Sequence, residues 1–250
     1  MAQVKNLMAE MKLVGMLAAL EETLRQAEAE SLSPTEVLDL LVQAEYDFRE
    51  KKKVENKIKA SKLKLKPEIE DFDFTAKRTI TRTQVKDLYS LNWMGKGRVV
   101  LLIGPTGICK TFLAQALGLH ACRKNYSTLF LTITDFLENL LLARSTATFL
   151  KYREKITKPD LLILDDFGAR KFNSTEAQDL CEIIEERSMA KSTIITTQLP
   201  INHWKEVIPD PVIADSIIDR IKHSAITLTI EGDTYRKVLA NKLAKEKNLK

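Results

Sequence analysis

The sequence predicts an α/β fold: a parallel five-stranded sheet between helices, preceded by a separate all-α module. Two observations carry this. Short, mainly apolar runs at 99–103, 129–133, 161–164, 193–197 and 225–230 alternate with stretches of helical length. Strands buried on both faces read as continuous Val/Ile/Leu runs, and intervening helices supply the crossovers that parallel pairing requires. Ahead of them, apolar residues recur at helical spacing instead. With 250 residues, the chain accommodates one core of about 150 to 200 residues and a smaller extra module. Its 44% hydrophobic and 29% charged content is that of a globular protein and argues against disordered or fibrous classes.

Taken in order, Val4, Leu7, Met8, Met11, Val14 and Leu17 predict one amphipathic helix ending before Ser31. Ser33-Pro34-Thr35-Glu36 is a capping box with proline at the first helical position, and Val37, Leu40, Leu41, Ala44 and Phe48 follow on one face. A basic stretch comes next. Between 49 and 66, nine Lys or Arg residues face only Glu50 and Glu55, a net +7 against +5 for the whole chain. Such a stripe is either a solvated helix face or the footprint of nucleic-acid phosphates; the candidate contacts are Lys51, Lys52, Lys53, Lys57, Lys59, Lys62 and Lys64. After Pro67 the composition shifts to Asp71-Phe72-Asp73-Phe74 and a polar, Thr-rich connection. The expected division is therefore a helical DNA- or partner-binding module at 1–66 and a second domain at 67–250.

No apolar run reaches the length that crosses a bilayer, and the N-terminus alternates apolar with charged residues, so no membrane association and a cytoplasmic location are expected. Cys109, Cys122 and Cys181 show no C-x-x-C spacing and the three histidines form no ligand pair; neither a disulfide nor a zinc site is expected.

The chemistry lies in two segments. Gly104-Pro105-Thr106-Gly107-Ile108-Cys109-Lys110-Thr111 follows the first apolar run and precedes the helical stretch 112–122. That is the strand, loop, helix context of a Walker A phosphate loop, which makes the chain a P-loop NTPase. Backbone N–H groups in the loop point at phosphates, Lys110 adds a point charge, and the Thr111 hydroxyl is a magnesium ligand. Together with Phe112, these residues are the candidate binding set for ATP and Mg2+. Cys109 departs from the pattern, since glycine is expected there. Its Cβ adds bulk near the phosphates and costs more if φ is positive; the alternatives are a tolerated change and weakened nucleotide binding. A thiol at a helix N-terminus also raises the question of redox sensitivity.

The second segment is Leu161-Leu162-Ile163-Leu164-Asp165-Asp166-Phe167-Gly168: a buried strand whose C-terminal edge carries two carboxylates. Asp165 is the candidate magnesium ligand and Asp166 the candidate general base for an attacking water. The bland alternative is a core strand ending in a polar turn.

Here the sequence resembles the AAA+ ATPases of the DnaA/DnaC branch, and among them the IstB-like transposition helper ATPases. Beyond the two Walker segments, the resemblance rests on Asp71-Phe72-Asp73-Phe74, Leu91-Asn92-Trp93, Thr196-Thr197-Gln198-Leu199-Pro200 with Trp204, Ala214-Asp215 with Asp219-Arg220, and Gly232-Asp233-Thr234-Tyr235-Arg236-Lys237. It covers essentially the whole chain. It implies that Gln198 is the sensor 1 group, helped by Thr197, and that Arg220 is an arginine finger reaching a neighbouring subunit's ATP. Arg236 would be the sensor 2 arginine of a short C-terminal helical part. It also implies a homo-oligomer with ATP at subunit interfaces, duplex DNA and a transposase as partners, and transposition as the process served. Lysine-rich contact with few aromatics implies DNA binding largely independent of sequence. The competing expectations are a DnaC-like helicase loader acting on single-stranded DNA and, from another class, a non-hydrolysing nucleotide-binding interaction module. A P-loop kinase for small molecules fits the Asp165-Asp166 pair and downstream arginines less well.

Overall fold

The computed structural model describes residues 1–72 and 79–232, and the chain falls into two compact units, Met1–Asn56 and Lys57–Lys250.

In the first unit, Ala2–Glu10 form α1, Val14–Glu30 form α2, and Pro34–Ala60 form α3, which runs on past the unit boundary. The single helix expected up to Ser31 is thus two. The break falls at Lys12, whose φ of 57° is left-handed, and it exposes the unpaired N–H groups at the start of α2 to a partner. Gly15 and Met16 donate theirs to the Glu45 carboxylate at 2.7 and 3.1 Å, so an acid from α3 caps α2 and complements its dipole. Burial pushes the Glu45 carboxyl up, but hydrogen bonds from Arg49, Met16 and Gly15 outweigh this and hold it below its ordinary value. A Cβ on Gly15 would lie 2.5 Å from the Ala44 carbonyl oxygen, so only glycine permits this crossing. The expected capping box is present: Ser33 N–H donates to Glu36 at 2.7 Å and Glu36 N–H to the Ser33 hydroxyl at 3.3 Å.

In the second unit, helix α4 (Arg82–Tyr89) precedes β1 (Val99–Ile103), α5 (Lys110–Arg123), β2 (Thr128–Thr132), α6 (Ile133–Ser145) and α7 (Phe149–Thr157). Then follow β3 (Leu161–Phe167), α8 (Ser174–Ser188), β4 (Ser192–Thr197), α9 (Pro211–Ser224) and β5 (Ala225–Thr229). The five strands form one parallel sheet in the order β2-β3-β4-β1-β5. Alternate strand residues enter two cores. Leu101, Leu162, Leu164 and Ile195 pack with α6, α8 and α9, whereas Val100, Leu102, Ile163 and Ile194 pack with α4 and α5. This two-sided burial is why β1 and the first part of β3 carry no polar alternation, whereas the edge strand β5 sets exposed Thr227 and Thr229 on either side of buried Leu228.

Strand order places the site. β4 lies between β1 and β3, so the C-terminal ends of these three strands share one edge, where open α/β sheets form their ligand crevice. β3 is longer than the apolar run suggests, because it continues through a bulge. Leu164 pairs with Ile195, but the next pair is Phe167 with Thr197, so the two aspartates contain one residue more than β4 can match. Asp166 takes a φ of 57° there, and Phe167 is held beyond it by Trp204, with ring centroids 4.0 Å apart. No described helix is long and apolar enough to cross a membrane.

Candidate nucleotide site

The loop after β1 is fixed by backbone geometry before any side chain acts. Gly104 has a φ of 155° and a Cβ there would lie 2.1 Å from the Ile230 carbonyl oxygen, so the loop passes tightly beneath the chain leaving β5. Gly107 has a φ of 84° and Cys109 a φ of 71° with ψ of 22°. The residue standing where glycine is expected thus adopts the left-handed conformation that disfavours a Cβ, typically by about 1–2 kcal/mol. Ile108 between them is fully buried and anchors the loop in the core.

Lys110 opens α5 and is buried, its ammonium donating to the carbonyl oxygens of Gly104 at 2.7 Å and Pro105 at 2.8 Å. Burial pushes its pKa down, opposed by Asp166 and Asp165. Thr111 donates its hydroxyl to Asp165 at 2.8 and 3.1 Å, so the candidate magnesium ligands from the two Walker segments touch. Asp165 is buried, whereas Asp166 is exposed and faces the cleft. Gln198, just past β4, accepts the Thr106 hydroxyl at 2.9 Å. Thr106, Lys110, Thr111, Asp166 and Gln198 line one cleft of about 440 Å³, with Leu65 and Phe112 as its apolar wall. That is a usual size for a nucleotide-scale ligand.

Thr196, fully buried, was not singled out by its sequence position. Its hydroxyl donates to Asp165 Oδ1 at 2.6 Å and accepts the Asp166 N–H at 3.0 Å, so one side chain ties both aspartates in place. Thr197, the residue expected to assist Gln198, instead bonds to the Phe167 carbonyl at 2.8 Å and the Leu199 N–H at 3.0 Å. Leu65 is the second residue sequence reasoning missed.

Burial pushes the Asp165 carboxyl above its ordinary value, against the hydrogen bonds from Thr196 and Thr111. The folded chain therefore holds this proton more tightly than the unfolded chain. Stability falls as pH rises from the ordinary aspartate range through the raised value, and the loss persists at neutral pH. Asp165→Asn removes it while keeping an acceptor for both threonines. The ligand-free variant is expected to unfold at higher urea than wild type at neutral pH, with the difference vanishing below about pH 3. A lower midpoint at neutral pH would contradict this.

The remaining candidates lie elsewhere. Arg220, near the end of α9, sits beside Val99 and Thr193 at the N-terminal ends of β1 and β4, the far end of the sheet from the cleft. It pairs with Glu185 at 3.2 Å and donates to the Ser216 carbonyl at 3.1 Å. Arg236 lies outside the described residues. Of the lysines, Lys53 pairs with Glu50 at 2.6 Å, Lys57 donates to the backbone and side-chain oxygens of Asn125, and Lys64 pairs with Asp135 at 3.5 Å. Lys51, Lys52, Lys59 and Lys62 are exposed.

Comparison with known proteins agrees with this arrangement. Residues 6–243 match the family described as IstB-like ATP binding protein. A Sinorhizobium fredii protein named for ATP binding in an insertion sequence is 35% identical over 227 residues, covering 91% of this chain and 93% of that one. A Pseudomonas aeruginosa protein named for ATP binding in insertion sequence IS21 is 30% identical over 236 residues, covering 94% and 89%. Among solved structures, AMPPCP-bound DnaA from Aquifex aeolicus aligns with a TM-score of 0.57 at 20% identity, over 76% of this chain and 58% of that one, a likeness of fold. The two Walker segments in one cleft, the parallel sheet and the match over nearly the full length together place the chain in the IstB-like ATP-binding protein family, with the fold of the DnaA/DnaC-type AAA+ proteins.

Proposed function

We propose that this chain is an ATP-hydrolysing regulator that assembles as an oligomer on duplex DNA and recruits or stimulates a transposase. The observation that carries the reading is the convergence of Lys110, Thr111 and Asp166 on one cleft, with the Thr111 hydroxyl bonded to the buried Asp165 carboxylate behind it.

In this reading the loop 104–112 binds the phosphates of ATP, and Lys110 exchanges its two carbonyl partners for them. Thr111 and Asp165 would hold Mg2+. The donor set fits that ion: among the described residues no group of three or more His, Cys, Asp or Glu converges, and magnesium characteristically takes only one or two protein ligands beside phosphate and water. When bound, it neutralises charge on the phosphate oxygens. Asp166, exposed in the cleft, takes a proton from the water that attacks the γ-phosphorus while ADP leaves. Gln198 orients that water. Thr196 keeps Asp165 and Asp166 at their positions. Arg220 faces away from its own cleft, which suits a finger acting on a neighbour's ATP, and Arg236 takes the sensor 2 role. The lysines from Lys51 to Lys64 contact DNA phosphates, with the functional boundary between modules at 66/67.

ATP turnover measured with duplex DNA, with single-stranded DNA and with neither tests this. The expected result is stimulation by duplex, declining as salt rises. Stimulation by single strands alone would favour a helicase loader, and no turnover at all would favour a non-hydrolysing binding module. Because Cys109 carries left-handed strain, Cys109→Gly is expected to tighten ATP binding several-fold and to raise stability by roughly 1 kcal/mol; a variant indistinguishable from wild type in both would show that the loop accepts the thiol without penalty.

A further inference from the structure

Helix α5 begins in the phosphate loop, and its whole length is fastened to the segment carrying the end of the basic stretch. Near its start, Gln115, only 1% exposed, accepts the Leu65 N–H at 2.7 Å. One turn on, Gly118 leaves room for Leu63, whose Cδ2 would stand 3.2 Å from a Cβ there. Arg123, the last residue of α5, donates two hydrogen bonds of 2.5 Å to the Glu68 carboxylate. Just past its end, Asn125 accepts from Lys57. The same segment is also tied to the sheet edge, since the Ser61 carbonyl accepts the Phe130 N–H from the edge strand β2 at 2.8 Å. Residues 57–68 are thus a strap pinned along the helix that holds the phosphates.

Two kinds of side chain on this strap lack a use within the fold. Lys59, Lys62 and Lys66 are exposed and make no ion pair among the described residues, unlike Lys64, which Asp135 neutralises. Leu65 is 51% exposed and lines the nucleotide cleft together with residues of the phosphate loop. A half-exposed leucine beside a polar cleft is suited to cover the apolar part of a bound nucleotide, its base or ribose.

Resting on the reading that the cleft holds ATP and the basic stretch meets duplex DNA, we propose that the strap 57–68 couples the two ligands. Leu65 contacts the nucleotide, Lys59, Lys62 and Lys66 contact DNA phosphates, and α5 transmits the occupancy of either site to the other. Such coupling is reciprocal: whatever factor the duplex adds to nucleotide affinity, the nucleotide adds to duplex affinity.

The test titrates a fluorescent, non-hydrolysable ATP analogue with magnesium into the full chain, with and without saturating random-sequence duplex. Wild type is expected to bind the analogue at least about 5-fold more tightly with duplex present. In Leu65→Ala, which alters an exposed side chain, and in Gln115→Met, which removes the strap's anchor while keeping volume, that ratio is expected to fall towards one. Replacing Lys59, Lys62 or Lys66 by alanine should each reduce the salt slope of duplex binding by about one. A wild-type ratio of one with both ligands bound overturns the coupling and leaves the reading of the two sites standing. So does a wild-type ratio retained by both variants. Failure of wild type to bind duplex even at low salt removes the DNA reading and the coupling together.

Discussion

Replacing Lys110 by methionine is expected to weaken ATP binding by roughly 150-fold while leaving the ligand-free fold at least as stable as wild type. The two effects have one origin. In the ligand-free chain the ammonium is buried against two carbonyl oxygens and bonds to no carboxylate among the described residues, and burial depresses its pKa. A base depressed in the fold binds fewer protons there than in the unfolded chain. Stability therefore rises with pH from the depressed value up to the ordinary lysine range, and below that window the charged form burdens the fold. Methionine removes the burden, at the loss of two neutral-acceptor hydrogen bonds of about 1 kcal/mol each. Phosphate loses a charge-assisted partner instead, on the order of 3 kcal/mol. Equilibrium titration and urea unfolding of the same variant check both halves. Strong destabilisation would mean that the lysine serves the fold, and unaltered affinity would remove it from the phosphate site.

Arg220→Ala is expected to reduce ATP turnover by about 10³-fold, the scale of losing an arginine finger, and mixing should recover activity that neither parent has. Arg220 lies at the strand ends opposite its own cleft, and in the proposed oligomer it acts on a neighbouring subunit's site. In an equal mixture of Arg220→Ala and Lys110→Ala chains, about a quarter of head-to-tail interfaces would join an intact phosphate loop to an intact finger. Turnover in the mixture should rise to that order of the wild-type rate. The contrary results are a mixture no more active than the average of its parents, or a wild-type monomer at full rate.

Much of this was legible in the sequence because it depends on local patterns. The strand at 99–103 and the phosphate loop follow from a continuous apolar run and from glycine and lysine spacing, which a buried parallel strand and an anion-binding turn impose, and the run at 225–230 marks the strand at 225–229 to within one residue. What was not legible depends on register and on distant partners. The bulge between Leu164 and Phe167, which sets two aspartates against one residue of β4, has no signature in the run of residues itself. The same bulge decides that Thr196, and not Thr197, reaches them. The helix break at Lys12 carries no glycine or proline to announce it; its partner, Glu45, lies 30 residues beyond Gly15. Leu65 reaches the cleft through a hydrogen bond to Gln115, 50 positions on. No periodicity records such a pairing. Cys109 is the intermediate case: its departure from glycine was visible, whereas its positive φ required coordinates.

The central claim is that Thr111 and Asp165 act together on the metal of a bound triphosphate. A double-mutant cycle of Thr111→Val and Asp165→Asn, read as ATP affinity with magnesium and again with chelator, tests it most directly. The account predicts a coupling of about 1 kcal/mol or more with magnesium, collapsing when the metal is removed. Additive losses that are the same with and without magnesium would contradict it.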